Sequence, residues 1–214
     1  MTDPRIHGLY VIVDPDACAG RSAVDVARLA LEGGASMLQW RDKGRQGGRE
    51  KGDQLPDALA IRKLCSQHGA LFIVNDHVDL ALVVRADGVH LGQHDLPVAA
   101  ARALVPPEFI IGASTNNVDE ARRAQAAGAS YVAVGAIFGT ASKEPERTRA
   151  ASPERLREVR AAIDLPLVAI GGINASNIGE VLAAGADAVA VISAVCGADD
   201  PRAAARELAA AFER

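Results

Sequence analysis

Asp76 and Asp95 are the two acids whose placement suggests shared chemistry. Each follows a short apolar run: Phe72-Ile73-Val74 leads to Asn75-Asp76, and Val89-His90-Leu91 leads to Gly92-Gln93-His94-Asp95. Between them, Val78 to Ala86 reads as one short amphipathic helix, so the stretch is a βαβ unit. Neighbouring parallel strands lie about 4.8 Å apart, which brings both carboxylates to one rim. Two carboxylates converging there, with Asn and Gln beside them, suit a Mg²⁺ ion that also holds a phosphorylated substrate. Read alone, either Asp fits the cap of the helix that follows at least as well.

Other strand ends carry polar residues of compatible chemistry. Gln39, Arg41 and Lys43 end a second strand that starts at Met37, and Ser114 ends a fifth that starts at Phe109. Thr140, Ser142 and Lys143 sit in the long loop from Gly135 to Ala151, Gly171-Gly172 follows Leu167–Ile170, and Ile192-Ser193 ends the last strand. Cations, hydroxyls, a carboxylate pair and two backbone-rich turns make a phosphate-handling inventory with a metal. The inventory divides in two. Gly171-Gly172 with Ser193 suits one phosphate on backbone N–H groups, whereas Arg41, Lys43, Lys143 and the acid pair suit a diphosphate. The Gly135–Ala151 loop is expected to close as a lid that brings Lys143 onto that diphosphate. His90 is mid-strand, so substrate contact and plain packing are equally open. His90 and His94 flank Gly92 off any helix, which argues against a metal pair. Trp40 alternates with Gln39 and Arg41 and is expected behind the sheet. Arg45, Arg49 and Lys51 read as a solvated loop. No Walker loop, nucleophile elbow or H-E-x-x-H is present.

These residues need a scaffold that gathers strand ends. Strand-like and helix-like segments alternate about eight times, starting with Leu9–Val13 and closing with a helix from Pro201 to Phe212. Gly33-Gly34-Ala35, Gly128-Ala129 and Gly185-Ala186-Asp187 recur where a helix must stop in a left-handed conformation before a strand. The expected architecture is α/β, a single (β/α)₈ TIM barrel over residues 1–214, with active residues at the carboxyl ends of its strands. A doubly wound open sheet is the alternative, but the Gly-rich dinucleotide fingerprint is missing after the first strand. The chain has 214 residues, enough for one such barrel, and its net charge of −4 argues against nucleic-acid or membrane surfaces as partners. It is read as having no secretory signal or membrane span. Cys18, Cys65 and Cys196 are odd in number and far apart, which fits a reducing cytoplasm and no zinc site.

Taken together and in order, several segments resemble the thiamine-phosphate synthase family. They are Gln39-Trp40-Arg41-Asp42-Lys43, Asn75-Asp76, Gly88 to Pro97, Gly112-Ala113-Ser114-Thr115, Ile137 to Lys143, Ala169-Ile170-Gly171-Gly172-Ile173 and Val191-Ile192-Ser193. The resemblance implies that small-molecule substrates, a hydroxymethylpyrimidine diphosphate and a thiazole phosphate, are joined with release of diphosphate. It implies Gln39, Arg41, Lys43, Asn75, Ser114 and Lys143 on the pyrimidine diphosphate and Mg²⁺ on Asp76 and Asp95. Thr140, Ser142, Gly172, Ile192 and Ser193 fall to the thiazole phosphate. Trp40, Asp42, His90 and Ala141 enter the substrate set with their segments, and Arg41, Lys43, Ser114 and Lys143 form the catalytic set. A possible homodimer is implied as well. The chain departs from the family at Trp40, Gly139, Ser142 and Glu144, where Leu, Pro, Thr and Pro are common. A sister thiazole tautomerase is the nearest rival, but it uses a His where this chain has Asn116. A non-catalytic ligand-binding barrel is the rival from another class.

Overall fold

Two kinds of apolar run alternate along the chain, and they fold into two kinds of element. A computed structural model describes residues 3–43, 49–139 and 152–213. Its strands are β1 (Gly8–Val13), β2 (Met37–Trp40), β3 (Leu71–Asn75), β4 (Gly88–Leu91), β5 (Ile110–Thr115), β6 (Tyr131–Val134), β7 (Leu167–Ile170) and β8 (Ala188–Val191). The helices are α1 (Ala23–Glu32), α2 (Lys51–His68), α3 (Val78–Val83), α4 (Val98–Arg102), α5 (Val118–Ala126), α6 (Pro153–Arg160), α7 (Ile178–Ala183), α8 (Ser193–Cys196) and α9 (Pro201–Ala209). Every strand pairs in parallel with the next, and β8 pairs with β1, so the sheet closes in the order β1 to β8. This is the (β/α)₈ barrel expected from the alternation.

Strand periodicity sorts the core into two layers. Leu9, Val11 and Val13 of β1 point outward and pack with helix residues such as Val26, Ala30 and Leu208. Tyr10 and Ile12 point inward and meet Met37, Ile73, Tyr131 and Val168 across the barrel. Full burial of a Val, Leu, Ile or Phe side chain contributes about 1.5–3 kcal/mol, so both layers are needed to hold the ring closed. Helix α1 shows how the outer layer attaches. Ser22 caps it by accepting from Asp25 N–H, and Ala23, Val26, Ala27, Ala30 and Leu31 are its buried face. Gly34, with φ +100, turns the chain, and Ala35 N–H then returns to Ala30 C=O at 3.1 Å. The same closure recurs at Gly128 and Gly185, where Ala129 and Ala186 donate to Ala124 and Val181.

Some boundaries differ from the sequence expectation. Helix α2 begins at Lys51 rather than near Leu55, and it contains Pro56. Pro56 is exposed, so the carbonyl it leaves without a helical donor faces water. Helices α4 and α6 stop at Arg102 and Arg160, short of Leu104 and Ile163. Among the described residues, no helix is long and apolar enough to cross a membrane.

The amino ends of the strands are tied by polar groups remote from the chemistry. Asp87 Oδ2 accepts from Phe72 N–H at 2.9 Å and pairs with Arg62. Asp87→Ala leaves that N–H without its acceptor, a loss of about 1–3 kcal/mol. The expected outcome is a lower melting temperature with kcat unchanged, measured by calorimetry and steady-state kinetics. A large fall in kcat with an unaltered Tm would contradict the division of labour between the two barrel ends.

Candidate active site

Nine of the expected residues meet at the carboxyl end of the barrel. Gln39, Arg41, Lys43, Asn75, Asp76, His90, Asp95, Ser114 and Ile192 line one cavity open to solvent. Each is inward-facing at a strand end or sits just beyond one. In β2, Leu38 and Trp40 belong to the outer layer, so Gln39 between them points inward. The apolar part of the wall is Ile12, Ala133, Val168, Ile170, Ala190 and Ile192.

The acid pair is the electrostatic centre. Asn75 is in register with His90, and Asp76 N–H donates to His90 C=O at 2.8 Å, which sets Asp76 beside the loop that carries Asp95. Asp76 has φ +61, a left-handed conformation that Asp and Asn tolerate better than most residues. Lys43 Nζ lies 2.5 Å from Asp76 Oδ2. Burial disfavours the charged form of Asp76 and the hydrogen bond shared with Asp95 adds to this. The Lys43 ammonium opposes both, and the carboxyl is pushed up to about 6. Burial also works against Asp95, but the hydrogen bonds from Asp76 and from Gly92 N–H outweigh it and hold its carboxyl below the usual range. The two acids therefore hold each other's charge in check, one carboxyl raised and the other lowered. A divalent cation fits here because it would balance two like charges that line one cavity. No cluster of three or more His, Cys, Asp or Glu suited to a metal occurs among the described residues. An ion on Asp76 and Asp95 would complete its shell with substrate oxygens and water, as Mg²⁺ usually does. Neither acid caps a helix. The caps of α3 and α4 are His77 and Pro97, without side-chain cap bonds.

Arg41 is fixed by a partner that sequence reasoning overlooked. Its guanidinium pairs with Asp14, a 5 % exposed residue just past β1, and Arg41 N–H donates to Val13 C=O at 3.0 Å. Two buried phenols were also overlooked. Tyr10 Oη accepts from Gln39 Nε2 at 2.6 Å and lies 3.0 Å from Tyr131 Oη. His90 faces the barrel and lines the cavity. Its Nδ1 lies 3.0 Å from Tyr131 Oη and its Nε2 2.9 Å from Ser114 Oγ. Burial holds both phenols above their ordinary pKa, so they stay protonated. The signal available for Tyr10 and Tyr131 was their place in strands, but Leu9–Val13 and Tyr131–Val134 are apolar on both faces and did not mark the inner one.

Other expected residues lie elsewhere. Trp40 is 1 % exposed on the outer face, where its Nε1 donates to Gln54 Oε1 at 3.1 Å, so it packs against α2 and does not line the cavity. Asp42 accepts from Arg49 Nε at 2.7 Å and does not line the cavity. Arg49 and Lys51 are not simply solvated. Arg49 pairs with Asp42 and Asp57 and lies 5.5 Å over the Trp40 ring, and Lys51 pairs with Asp79. Gly172 and Ser193 are exposed at neighbouring strand ends of the same rim, outside the cavity wall. Gly172 has φ +67, and a Cβ there would come within 2.9 Å of the Phe138 and Gly139 carbonyl oxygens. A bulky residue at 172 would therefore disturb the chain after β6 as well as any phosphate. Thr140, Ala141, Ser142 and Lys143, and most of the loop expected to be a lid, lie outside the described residues, as does Arg45.

Comparison with known proteins bears on the chemistry of such a site. A family model described as thiamine monophosphate synthase matches residues 9–195. A thiamine-phosphate synthase of Methanoculleus marisnigri is 54 % identical, over 94 % of this chain and 93 % of that protein. One from Methanospirillum hungatei is 48 % identical over 94 % of this chain and 96 % of its own length. Among solved structures, a thiamine phosphate pyrophosphorylase from Pyrococcus furiosus is 40 % identical, covers 99 % of this chain and 98 % of its own, and superposes with a TM-score of 0.89. A 3-hexulose-6-phosphate synthase, 18 % identical with a TM-score of 0.69, shares the barrel alone. With a match that spans nearly all the strand ends described above, the chain belongs to the thiamine monophosphate synthase family.

Proposed function

We propose that this enzyme joins 4-amino-2-methyl-5-(diphosphooxymethyl)pyrimidine to 4-methyl-5-(2-phosphoethyl)thiazole, or its carboxylate, to give thiamine phosphate and diphosphate. The observation that carries the reading is the Asp76–Asp95 pair beside Lys43 and Arg41 on one cavity. In a dissociative displacement, the methylene–oxygen bond breaks first and diphosphate leaves with the electron pair; the thiazole nitrogen then bonds to the cationic methylene through its own lone pair. The nucleophile belongs to the substrate, so the chain needs no activated side chain.

Its own residues bind, orient and exclude water. Arg41, held by Asp14, and Lys43 meet the diphosphate, and Lys143 joins them by resemblance. Gln39, Asn75 and Ser114 orient the pyrimidine, while Ile12, Val168, Ile170 and Ile192 keep water from a cationic methylene. Bound by Asp76 and Asp95, Mg²⁺ would supply positive charge against the departing diphosphate. Gly172, Ile192 and Ser193, with Thr140 and Ser142, would hold the thiazole phosphate. The test is diphosphate release from the pyrimidine diphosphate, with and without thiazole phosphate, in Mg²⁺ and in chelator. Release without product, or full turnover in excess chelator, would contradict the reaction or the metal respectively. The reading also makes the enzyme cytoplasmic and, by resemblance, a homodimer, which sedimentation would check.

The acid pair has a consequence for stability. The folded-state pKa of Asp76, about 6, lies above its ordinary 3.8. Its contribution therefore favours the fold at low pH and is lost as pH rises through about 6. In metal-free protein, the melting temperature of Asp76→Asn relative to wild type should climb as pH rises across that window. A difference independent of pH would show that Asp76 titrates normally.

A further inference from the structure

Five side chains form one hydrogen-bonded line across the barrel floor: Gln39, Tyr10, Tyr131, His90 and Ser114, at 2.6, 3.0, 3.0 and 2.9 Å. The two phenols in the middle are each at most 1 % exposed, so water cannot complete their bonding. Each has one proton to give and two neighbours in the line. Gln39 Nε2 donates to Tyr10 Oη, which obliges Tyr10 to give its own proton to Tyr131. Tyr131 then gives its proton to His90 Nδ1, so the ring proton of His90 sits on Nε2 and is donated to Ser114 Oγ. The Ser114 hydroxyl proton is left for the cavity. At the other end, the bond to Tyr10 leaves Gln39 Oε1 for a ligand.

With the Gln39 amide placed Nε2 toward Tyr10, any other arrangement fails inside the line. If Tyr10 gave its proton toward Gln39, it would meet an amide N–H. If Tyr131 gave its proton to Tyr10, the Tyr10 proton would have no acceptor. Only turning the Gln39 amide over reverses the sequence, and then every proton reverses, ending with Ser114 donating to His90. The two cavity-facing ends are thereby locked together, although they stand on different strands, β2 and β5.

We infer that Tyr10, Tyr131 and His90 are positioning residues that make Gln39 an acceptor and Ser114 a donor toward the substrate. The site then selects a heterocycle that offers an N–H donor toward β2 and a lone-pair acceptor toward β5. An aminopyrimidine presents both, whereas the corresponding oxo-pyrimidine puts an acceptor where the amine was and faces Gln39 Oε1 with a second lone pair. This rests on the proposed reaction for its substrate, but the direction of the line does not.

The experiment has two arms. ¹⁵N NMR of the imidazoles, with the His90 signal identified by its loss in His90→Gln, is expected to show the neutral Nε2–H form in wild type. Tyr131→Phe, which keeps the ring and removes the link, should abolish that preference. It should also narrow the ratio of kcat/KM between the amino and oxo pyrimidine diphosphates by about tenfold or more, with a lower Tm because the buried Tyr10 hydroxyl loses its acceptor. If Tyr131→Phe does not fold, Tyr10→Phe cuts the same line one link earlier. An Nδ1–H or doubly protonated His90 in wild type, or an amino-to-oxo ratio unmoved by either variant, would overturn the inference. The Nε2–H form in a protein that turns over neither pyrimidine would instead contradict the proposed reaction and leave the line standing.

Discussion

Asp76→Asn is expected to lower kcat by about 100-fold or more without lowering the melting temperature at neutral pH. The variant is chosen for its backbone. Asp76 sits at φ +61, and Asn is among the few residues that accept this conformation, so the substitution adds no strain. Its N–H still reaches His90 C=O, and no helix cap is lost, because His77 caps α3. What changes is charge. Asn leaves Asp95 alone to hold a divalent ion and frees Lys43 from its 2.5 Å partner. About 100-fold corresponds to roughly 2.7 kcal/mol of transition-state stabilisation, within the range for one electrostatic group aimed at a leaving anion. Asp76→Ala provides the contrast, since Ala in the left-handed region should cost about 1–2 kcal/mol of stability in addition. Steady-state kinetics across Mg²⁺ concentrations, with calorimetry on the same samples, decide the matter. Wild-type turnover with an unaltered Mg²⁺ requirement in the Asn variant would reduce Asp76 to a counter-ion for Lys43.

Gly112→Ala is expected to damage the fold itself. Gly112 in β5 is in register with Tyr131 in β6, and a Cβ at 112 would run into Tyr131 Cζ and Oη. The ring has nowhere to go. It stacks on His90 with centroids 5.6 Å apart, meets Tyr10 edge-on at 6.3 Å and is fully buried. Overpacking a filled core costs about 1–3 kcal/mol, and here the loss of the Tyr131 hydrogen bonds adds to it. At about 2–4 °C per kcal/mol for a chain of this size, the fall in Tm should be plain by calorimetry. Gly112→Ala with Tyr131→Leu removes the clash and should recover stability without recovering discrimination among pyrimidines. A single Gly112→Ala variant with wild-type Tm and KM would show that the ring can retreat, against the packing seen here.

The segments that resemble the family divide between residues that line the cavity and neighbours that face away from it. Within Gln39-Trp40-Arg41-Asp42-Lys43, positions 39, 41 and 43 line the cavity, while Trp40 packs on α2 and Asp42 anchors Arg49. A strand shows alternate residues to opposite faces, so a contiguous segment cannot be wholly a binding site. The alternation that predicted Trp40 behind the sheet was the better guide of the two.

By itself, the sequence determined the alternation of eight strands with helices and the polar character of the strand ends. Those features are local: β-branched runs, Ser22 and Asn117 as caps, and Gly34, Gly128 and Gly185 where the chain must turn left-handed. It also put Asp76 and Asp95 on one rim, because a βαβ unit is short and its register is narrow. Tertiary structure alone decided which face of an all-apolar strand is inside. Leu9–Val13 has no polar residue to mark a side, and only closure of the barrel makes Tyr10 interior and Leu9 exterior. It likewise decided that Asp14 holds Arg41 and that Tyr131, 121 residues from Tyr10, completes a line from Gln39 to Ser114. The physical reason is range. Caps, turns and strand runs answer to neighbours a few residues away, whereas a buried phenol finds its partner only where the ring of strands has closed and excluded the water that would otherwise satisfy it.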